Sequence, residues 1–277
     1  ITTRLVGSEM CIRDSYYGAK IERQNLSYCI QPQDRGFAAN PPDAAGDRTL
    51  SPDTLPQEYS TFGVGDFRES CLDVRDKNGG VAADLRYGSY RIYPGKKPLN
   101  GLPAAYGNEK DVDTLEIDLR DKVSGLVVTL RYSVFAQWDV IARSAEIFNR
   151  GTGVLILERA LSCCLDEPVP ASRDILTFYG RHMGERNLER MPLRHGKFRV
   201  DSMRGASSPH YNPFVILCDS AATETAGNCW AFSLVYSGNF IAQAEVDQID
   251  TLRFVMGIAP QNFSWELKPG ASFQAPE

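Results

Sequence analysis

Apolar and polar side chains alternate along much of the chain from residue 16 onward, and this two-residue period is the feature that most constrains the fold. In DTLEIDLRD (113–121), apolar residues alternate with charged ones, and SGLVVTLRYSVF (124–135) alternates in the same way after a short turn. Successive side chains of a strand point to opposite faces, so the pattern predicts half-buried antiparallel strands. Turn residues follow at close spacing and helical periodicity is almost absent, which predicts an all-β sandwich or barrel.

Glycine, asparagine and proline mark the predicted connections. The segment CWAFSLVYSGNFIAQAEV (229–246) predicts two strands joined by a tight hairpin at 237–239, where Gly and Asn supply the positive φ. GERNLERMPL (184–193) is short and stopped by Pro192, so it is predicted to be loop or extended rather than helical. A long loop is predicted at 31–50, and further turns are predicted at 78–80, 149–153 and 226–228. No linker divides residues 16–277, which are predicted to form one domain.

Composition argues against several classes of function. The 277 residues carry a net charge of −5, with 43% hydrophobic and 23% charged residues and no long run of Lys or Arg. These values are typical of a soluble globular protein, and they argue against nucleic-acid binding. The apolar stretches are too short to span a bilayer, so no membrane partner is predicted. No Gly-rich loop follows a strand and opens a helix, so no nucleotide cofactor is predicted.

The seven cysteines include no Cys-x-x-Cys pair and have no His nearby at metal-ligand spacing, so neither a metal site nor any other cofactor is predicted. Cys163 and Cys164 are adjacent, and strand alternation is expected to send them to opposite faces. Small apolar residues in a reducing cytoplasm are the favoured interpretation of these thiols.

The first fifteen residues differ from the rest of the chain. In LVGSEMCIRDS (5–15) the apolar residues follow neither the strand nor the helix period, and the segment is too polar for the core of a signal peptide. It resembles the in-frame translation of an adapter used in sequencing libraries. We therefore expect residues 1–15 to be non-native, to replace a missing native amino terminus and to pack on nothing.

A serine and histidine cluster in RGASSPHYNPF (204–214) raises the question of nucleophilic chemistry. Ser207 and Ser208 lie close to His210 in the sequence, but the stretch lacks the Gly-x-Ser-x-Gly turn that exposes a nucleophile, and Pro209 stiffens the backbone between them. Short polar side chains of this kind more often satisfy loop backbone groups. A scaffold role is therefore favoured.

Asp139 beside Trp138 resembles a glycosidase carboxylate next to a ring on which a sugar could stack. The strand pattern of 124–135 continues into Val140 and Ile141, so a surface or turn aspartate is favoured instead.

The stretch SPDTLPQEYSTFGVGDFRES (51–70) combines aromatic residues with Arg68 and with four acidic residues, Asp53, Glu58, Asp66 and Glu69. Carboxylates, a guanidinium and aromatic faces together can bind sugar hydroxyls. A solvated loop remains the alternative and is the commoner outcome for such a composition. The residues by themselves predict an acidic β-sandwich without a catalytic constellation.

Nine motifs, taken in order, resemble those of one family: SPDTLPQEYS, GVGDFRES, ADLRYGSYRIYPGK, TLEIDLRDKVSGLVVTLRYSVF, WDVIARSAEIFNRG, RHMGERNLERMPLRHG, RGASSPHYNPF, LVYSGNF and GIAPQNFSWELKPGASFQAPE. From about Tyr16 to Glu277 the chain is similar to the amino-terminal domain of the bacterial-type α-galactosidases of glycoside hydrolase family 36. The resemblance implies an antiparallel β-supersandwich over residues 16–277, in which Ser207, Ser208 and His210 belong to the scaffold.

The resemblance also implies that the reaction takes place on another domain. The family consists of retaining glycosidases, whose two catalytic aspartates lie on a (β/α)8 barrel with their carboxyl groups about 5–5.5 Å apart. Its nucleophile lies in a Lys-Trp-Asp-type motif, which 137–139 only echoes within the sandwich. The chain stops at FQAPE, where the family continues toward that barrel, so the chain alone is expected to be inactive. Its implied partners are the catalytic barrel and terminal α-galactosyl residues of melibiose- and raffinose-type oligosaccharides.

In tetrameric members of the family, the resemblance implies that a sandwich loop of one subunit borders the active site of its neighbour. The loop that matches is 51–70, in which Asp53 and Arg68 are the predicted substrate-binding residues, with Phe67 packing beneath them. A cytoplasmic homo-oligomer, in the tetrameric form, is the corresponding expectation.

Two alternatives belong to other classes. A stand-alone carbohydrate-binding β-sandwich requires a complete domain with an exposed aromatic platform. A sugar epimerase on a similar supersandwich requires a His and a carboxylate in a concave face, whereas His182, His195 and His210 all fall within the scaffold-like motifs.

Overall fold

The structure, a computed structural model, describes residues 33–34, 40–41, 44, 46–168 and 173–277, together with the backbone of 2–8 and 11–18. The described residues contain no α-helix, and none of their segments could cross a membrane as a helix. The predicted long loop at 31–50 lies largely outside the described residues. The strands are β1 (Thr2–Ser8), β2 (Cys11–Gly18), β3 (Leu72–Asp76), β4 (Arg86–Pro94), β5 (Asp113–Arg120), β6 (Leu126–Phe135), β7 (Val140–Asn149), β8 (Leu155–Pro168), β9 (Arg173–Arg181), β10 (Gly184–Pro192), β11 (Gly196–Ser202), β12 (Tyr211–Asp219), β13 (Cys229–Ser233), β14 (Phe240–Val246), β15 (Thr251–Ile258), β16 (Trp265–Leu267) and β17 (Ser272–Gln274).

These strands form antiparallel sheets. A five-stranded sheet has the order β17-β7-β6-β5-β4, and a four-stranded sheet has the order β10-β9-β12-β13. A six-stranded sheet has the order β11-β14-β15-β8-β16, with β3 also paired to β8. The strands β1 and β2 form a separate two-stranded sheet.

The six-stranded sheet lies between the other two large sheets and is buried on both faces. Within β14, Ile241 packs into a core shared with the five-stranded sheet, whereas its neighbour Phe240 packs into a core shared with the four-stranded sheet. Cys164 and Cys163 divide between the same two cores, as their adjacency predicted. Burial on both faces explains the nearly continuous apolar sequence of β15. The predicted fold class, an all-β antiparallel β-supersandwich, is confirmed.

The alternating segments form strands as predicted. β5 and β6 pair along their whole length around the turn between them, and 184–193 is extended in β10. The strand that was expected to continue through Asp139 is instead interrupted there, because a hairpin turn joins β6 to β7 and Asp139 adopts a positive φ of 52°. The favoured interpretation of Asp139 as a turn residue is therefore confirmed.

The predicted hairpin at 237–239 is wrong. β13 pairs with β12 in the four-stranded sheet, whereas β14 pairs with β11 and β15 in the six-stranded sheet. The intervening residues thus pass from one layer to the next, and neither Gly238 nor Asn239 has a positive φ. Alternation specifies strands but not which sheet each strand joins.

Residues 2–18 also differ from expectation, because the irregular pattern of 5–15 predicted no strand. β1 and β2 pair as a hairpin, and part of β2 comes within 8 Å of β4 between Cα atoms. The two strands make no ladder with the other sheets.

Deleting residues 1–15 is expected to leave the thermal midpoint of unfolding unchanged, because a two-stranded hairpin that makes no ladder with the other sheets contributes little to the stability of a domain. Thermal melts of the full chain and of the shortened chain check this prediction. A clear drop in the midpoint would show that the hairpin makes stabilising contacts and would contradict a non-native origin.

Candidate functional site

The loop of residues 51–70 is wedged between the five-stranded and six-stranded sheets, and most of it is buried. In this loop the exposed large apolar side chains are Phe62 and Phe67, with exposed fractions of 52% and 73%. Gly63 makes the turn between them possible, because its φ is +87° and a Cβ there would lie 2.7 Å from the Cα of Ala82. The alternative of a solvated loop is therefore wrong: the loop is anchored inside the domain and presents two aromatic rings to solvent.

One anchor is an ionic cluster against the six-stranded sheet. Asp166 on β8 accepts two hydrogen bonds from Arg253 on β15, at 2.7 Å from Nε and 2.6 Å from Nη2. The Nη2 atom of Arg253 also lies 2.8 Å from Oδ2 of Asp66, in the loop. Arg68 in turn donates to Asp66 at 2.9 Å from Nε. The side chains of these four residues are each at most 3% exposed.

The same groups hold the loop backbone. Arg68 Nη2 donates to the carbonyl oxygens of Pro52 and Leu55, at 2.9 and 2.8 Å. Asp166 Oδ2 accepts the backbone N–H of Gln57 at 2.8 Å, and Arg253 Nη1 donates to the carbonyl of Glu69 at 3.1 Å. Buried carbonyl and N–H groups of an irregular loop are thereby satisfied by charged side chains.

Opposite charges keep this cluster ionised. Burial by itself lowers the pKa of Arg253 and of Arg68, but the carboxylates of Asp166 and Asp66 together more than offset that effect, so the pKa of each guanidinium is raised. Burial raises the pKa of Asp166, whereas Arg253 and Arg68 lower it by more, so its net pKa is lowered. The two guanidinium groups and the carboxylate of Asp166 thus remain charged in the interior.

A second anchor faces the five-stranded sheet. Arg143 on β7 lies 3.1 Å from the carboxylate of Glu58 and stacks 4.9 Å from the ring centroid of Tyr132, whose hydroxyl donates to Glu58. Burial raises the pKa of Glu58 despite the opposing effects of Arg143 and Tyr132.

The three predicted site residues are brought together, but in different roles from those expected. Asp53 and Arg68 are each 6% exposed, and Oδ1 of Asp53 accepts the backbone N–H of Phe67 at 3.4 Å. Phe67 does not pack beneath them, because the bend at 63–67 turns its ring into solvent. The geometry gives Asp53 and Arg68 a role inside the loop. That they also contact a sugar stays a prediction.

The serine and histidine cluster has no nucleophile–base geometry. Ser208 Oγ accepts the backbone N–H of His210 at 3.2 Å, and Nε2 of the His210 ring lies 2.8 Å from Nη2 of Arg204. The backbone N–H of Ser207 donates to Ser237. These contacts tie two loops together, as a scaffold role requires. Among the described residues no group of three His, Cys, Asp or Glu side chains could hold a metal ion.

Sequence reasoning missed Asp166 and Arg253. Arg253 is among the largest fully buried side chains and is the one charged residue of β15, whereas Asp166 is a buried acidic residue of β8, which carries other charged residues as well. A charged residue of each sign within two buried strands is a signal for a buried pair, since unpaired charges are not tolerated there.

Glu69 lies at the outer end of the loop and accepts hydrogen bonds from Arg159 and, at 2.7 Å, from Lys197. Burial by itself raises the pKa of Glu69, but the combined effect of its hydrogen-bond partners and these cations is larger and opposite, so the pKa falls from 4.5 to about 2. A carboxylate with a lowered pKa stabilises the fold fully above its unfolded value, and that contribution disappears as the pH falls from 4.5 toward about 2.

Glu69→Gln is therefore expected to reduce the free energy of unfolding by about 1–2 kcal/mol at neutral pH, a value discounted for the partial solvent screening of the carboxylate. The difference from the unmodified chain should shrink as the pH falls below about 4, toward the lowered folded-state value. Denaturant unfolding at several pH values checks this, with Glu224→Gln as an exposed control. An unchanged difference at acid pH would contradict the assignment.

Comparisons with known proteins agree with this architecture. The profile of the Glycosyl hydrolase family 36 N-terminal domain matches residues 12–268. The chain is 46% identical over 262 residues to the bifunctional alpha-galactosidase/sucrose kinase AgaSK of Mediterraneibacter gnavus, covering 95% of this chain and 28% of that protein. It is 46% identical over 263 residues to the alpha-galactosidase AgaA of Geobacillus stearothermophilus, covering 95% of this chain and 36% of AgaA. The chain thus spans about a third of these relatives.

Solved structures show the same fold. The crystal structure of AgaA superimposes with a TM-score of 0.94 at 44% identity, covering 99% of this chain and 38% of AgaA. Variants of AgaA have been solved in complex with raffinose and with stachyose, and each matches with a TM-score of 0.93. The chain therefore belongs to glycoside hydrolase family 36, and it corresponds to the amino-terminal domain of that family.

Proposed function

We propose that this chain is the amino-terminal domain of a retaining α-galactosidase that removes terminal α-galactosyl residues from melibiose- and raffinose-type oligosaccharides. The observation that carries the proposal is the match along nearly the whole chain to alpha-galactosidases, at 46% identity to AgaA. That relatives of the same fold have been solved with raffinose and stachyose supports this class of substrate.

The proposal assigns the chemistry to another part of the whole protein. Retaining hydrolysis requires one carboxylate as nucleophile and one carboxylic acid as proton donor, about 5–5.5 Å apart on either side of the glycosidic bond. In the 51–70 loop, Glu58, Asp66 and Glu69 instead form ion pairs with the cationic side chains of Arg68, Arg253, Arg143, Arg159 and Lys197. We place both catalytic aspartates on a barrel that follows this domain, and the whole enzyme in the cytoplasm as a homo-oligomer, in the tetrameric form.

Within that enzyme, the 51–70 loop is proposed to border the substrate pocket of a neighbouring subunit. Its two exposed aromatic rings, Phe62 and Phe67, stand on a segment that ionic clusters hold from both sides. Apolar ring faces stack on sugars, and a rigid base keeps the ordering cost of binding low. Asp53 and Arg68 would act here with Phe67, either by contacting a hydroxyl or by fixing the ring.

In the whole enzyme, Asp53→Ala, Arg68→Ala and Phe67→Ala are each expected to raise KM for raffinose while changing kcat less. The expected cost is about 1–3 kcal/mol for the charged residues, because hydrogen bonds to charged groups are of that size. Steady-state kinetics on raffinose and melibiose, with thermal melts beside them, make the measurement.

Thermal melts separate the two roles. Phe67→Ala should leave the thermal midpoint nearly unchanged, because its ring is exposed, whereas Arg68→Ala should lower it. Val123→Ala, another exposed apolar substitution at 95% exposure, is the control and should change neither value. An unchanged KM in all three variants, with lower thermal midpoints for Asp53→Ala and Arg68→Ala, would show that the loop only stabilises the domain and would contradict a role in substrate binding.

A further inference from the structure

We infer that Arg253 and Asp166, on the six-stranded sheet, are positioning residues for substrate binding, because they set the shape of the 51–70 loop from outside it. The inference rests on the proposed function, in which that loop borders the substrate pocket. It extends the site from the loop itself to two strands that no sugar would touch.

The geometry of Arg253 supports a bridging role. Its guanidinium reaches three acceptors at once: Asp166 on the adjacent strand, the carboxylate of Asp66 and the carbonyl of Glu69. The latter two acceptors flank Phe67 in the sequence, so the single planar group fixes the backbone on both sides of the exposed ring. A planar fork of five donors can serve three partners in fixed directions, which a point charge cannot.

Asp166 completes the link on the other side of the loop. Its Oδ2 atom accepts the backbone N–H of Gln57 and lies 3.5 Å from Nη1 of Arg68. Because Arg68 also binds the carbonyls of Pro52 and Leu55, Asp166 couples the first half of the loop to the second. Both halves therefore depend on one buried pair between β8 and β15.

Arg253→Lys in the whole enzyme isolates this function. Lysine keeps the positive charge beside Asp166, but its single ammonium cannot also reach Asp66 and the Glu69 carbonyl. The ion pair between β8 and β15 is therefore kept, whereas the contacts from residue 253 to the loop are lost. We expect KM for raffinose to rise about five- to tenfold with kcat within about twofold, because misplaced binding groups weaken binding more than chemistry. Amide hydrogen exchange across 51–70 should become faster.

Arg173→Lys is the matched control. Arg173 is also a buried arginine with two carboxylate partners, Glu167 and Asp219, but it lies in the four-stranded sheet outside the loop contacts. The Arg173→Lys variant should have a lower free energy of unfolding, with no change in KM for raffinose or in amide hydrogen exchange across 51–70. Should Arg253→Lys fold poorly, Asp166→Asn provides the same test, since it preserves shape and removes the charge that holds Arg253.

The outcomes separate this inference from the function on which it rests. A raised KM in both Arg253→Lys and Phe67→Ala, but not in Arg173→Lys, supports both. A raised KM in Phe67→Ala with no change in Arg253→Lys overturns the positioning role alone. No change of KM in either variant overturns the substrate-border proposal, and an equal rise in Arg173→Lys assigns the effect to general loss of stability and overturns the positioning role.

Discussion

Replacing Arg253 by methionine is expected to lower the free energy of unfolding by about 3–5 kcal/mol, because removing one partner of a buried pair leaves an uncompensated charge in the interior. The side chain of Arg253 is 0% exposed, and so is that of Asp166. Methionine has a similar volume, so the loss would come from the stranded carboxylates of Asp166 and Asp66 rather than from a cavity. Denaturant unfolding of the 277-residue chain at neutral pH measures the change.

Arg75→Met provides the comparison. Arg75 also pairs with a carboxylate, that of Glu158 at 2.8 Å, but the two side chains are 50% and 38% exposed. Exposed pairs are worth about 0–1 kcal/mol, so this variant should lose little stability. A loss below about 1 kcal/mol for Arg253→Met would contradict the ionic anchoring of the loop.

The second large effect concerns activity. We expect the 277-residue chain alone to show no hydrolysis of raffinose above the uncatalysed rate, because a pair of catalytic carboxyl groups at retaining distance is proposed to lie outside it. Galactose release at high protein concentration, over hours, measures this. Hydrolysis that persists after repurification and disappears in an Asp139→Asn variant would contradict the assignment of Asp139 to an ordinary hairpin turn.

The alternation of side chains predicted several strands correctly, because successive side chains of a strand point to opposite faces. β5 and β6 match their predicted segments, and the split of Cys163 and Cys164 between two cores follows directly from the period of two. The sheet that each strand joins was not predictable in this way. β13 and β14 follow one another along the chain with a short connection, residues 234–239, yet they belong to different layers.

The candidate loop shows a further limit of sequence reasoning. Composition indicated the 51–70 loop and the family resemblance indicated Asp53, Phe67 and Arg68 within it, but neither predicted the burial of Arg68 or the exposure of Phe67. Both depend on partners distant in the sequence, Asp166 and Arg253, which approach the loop only after the six-stranded sheet has formed. A local pattern of polar residues does not distinguish a solvated loop from one anchored by buried ion pairs.

A hybrid enzyme tests whether this domain serves a catalytic site located elsewhere. Residues 16–277 of this chain would replace the matching segment of AgaA from Geobacillus stearothermophilus, with which the chain shares 46% identity. We expect the hybrid to fold and to hydrolyse raffinose, and Phe67→Ala in the hybrid to raise KM, whereas residues 16–277 alone should remain inactive. A folded hybrid without activity, or hydrolysis of raffinose by residues 16–277 alone, would contradict the proposal that the catalytic site lies outside this domain.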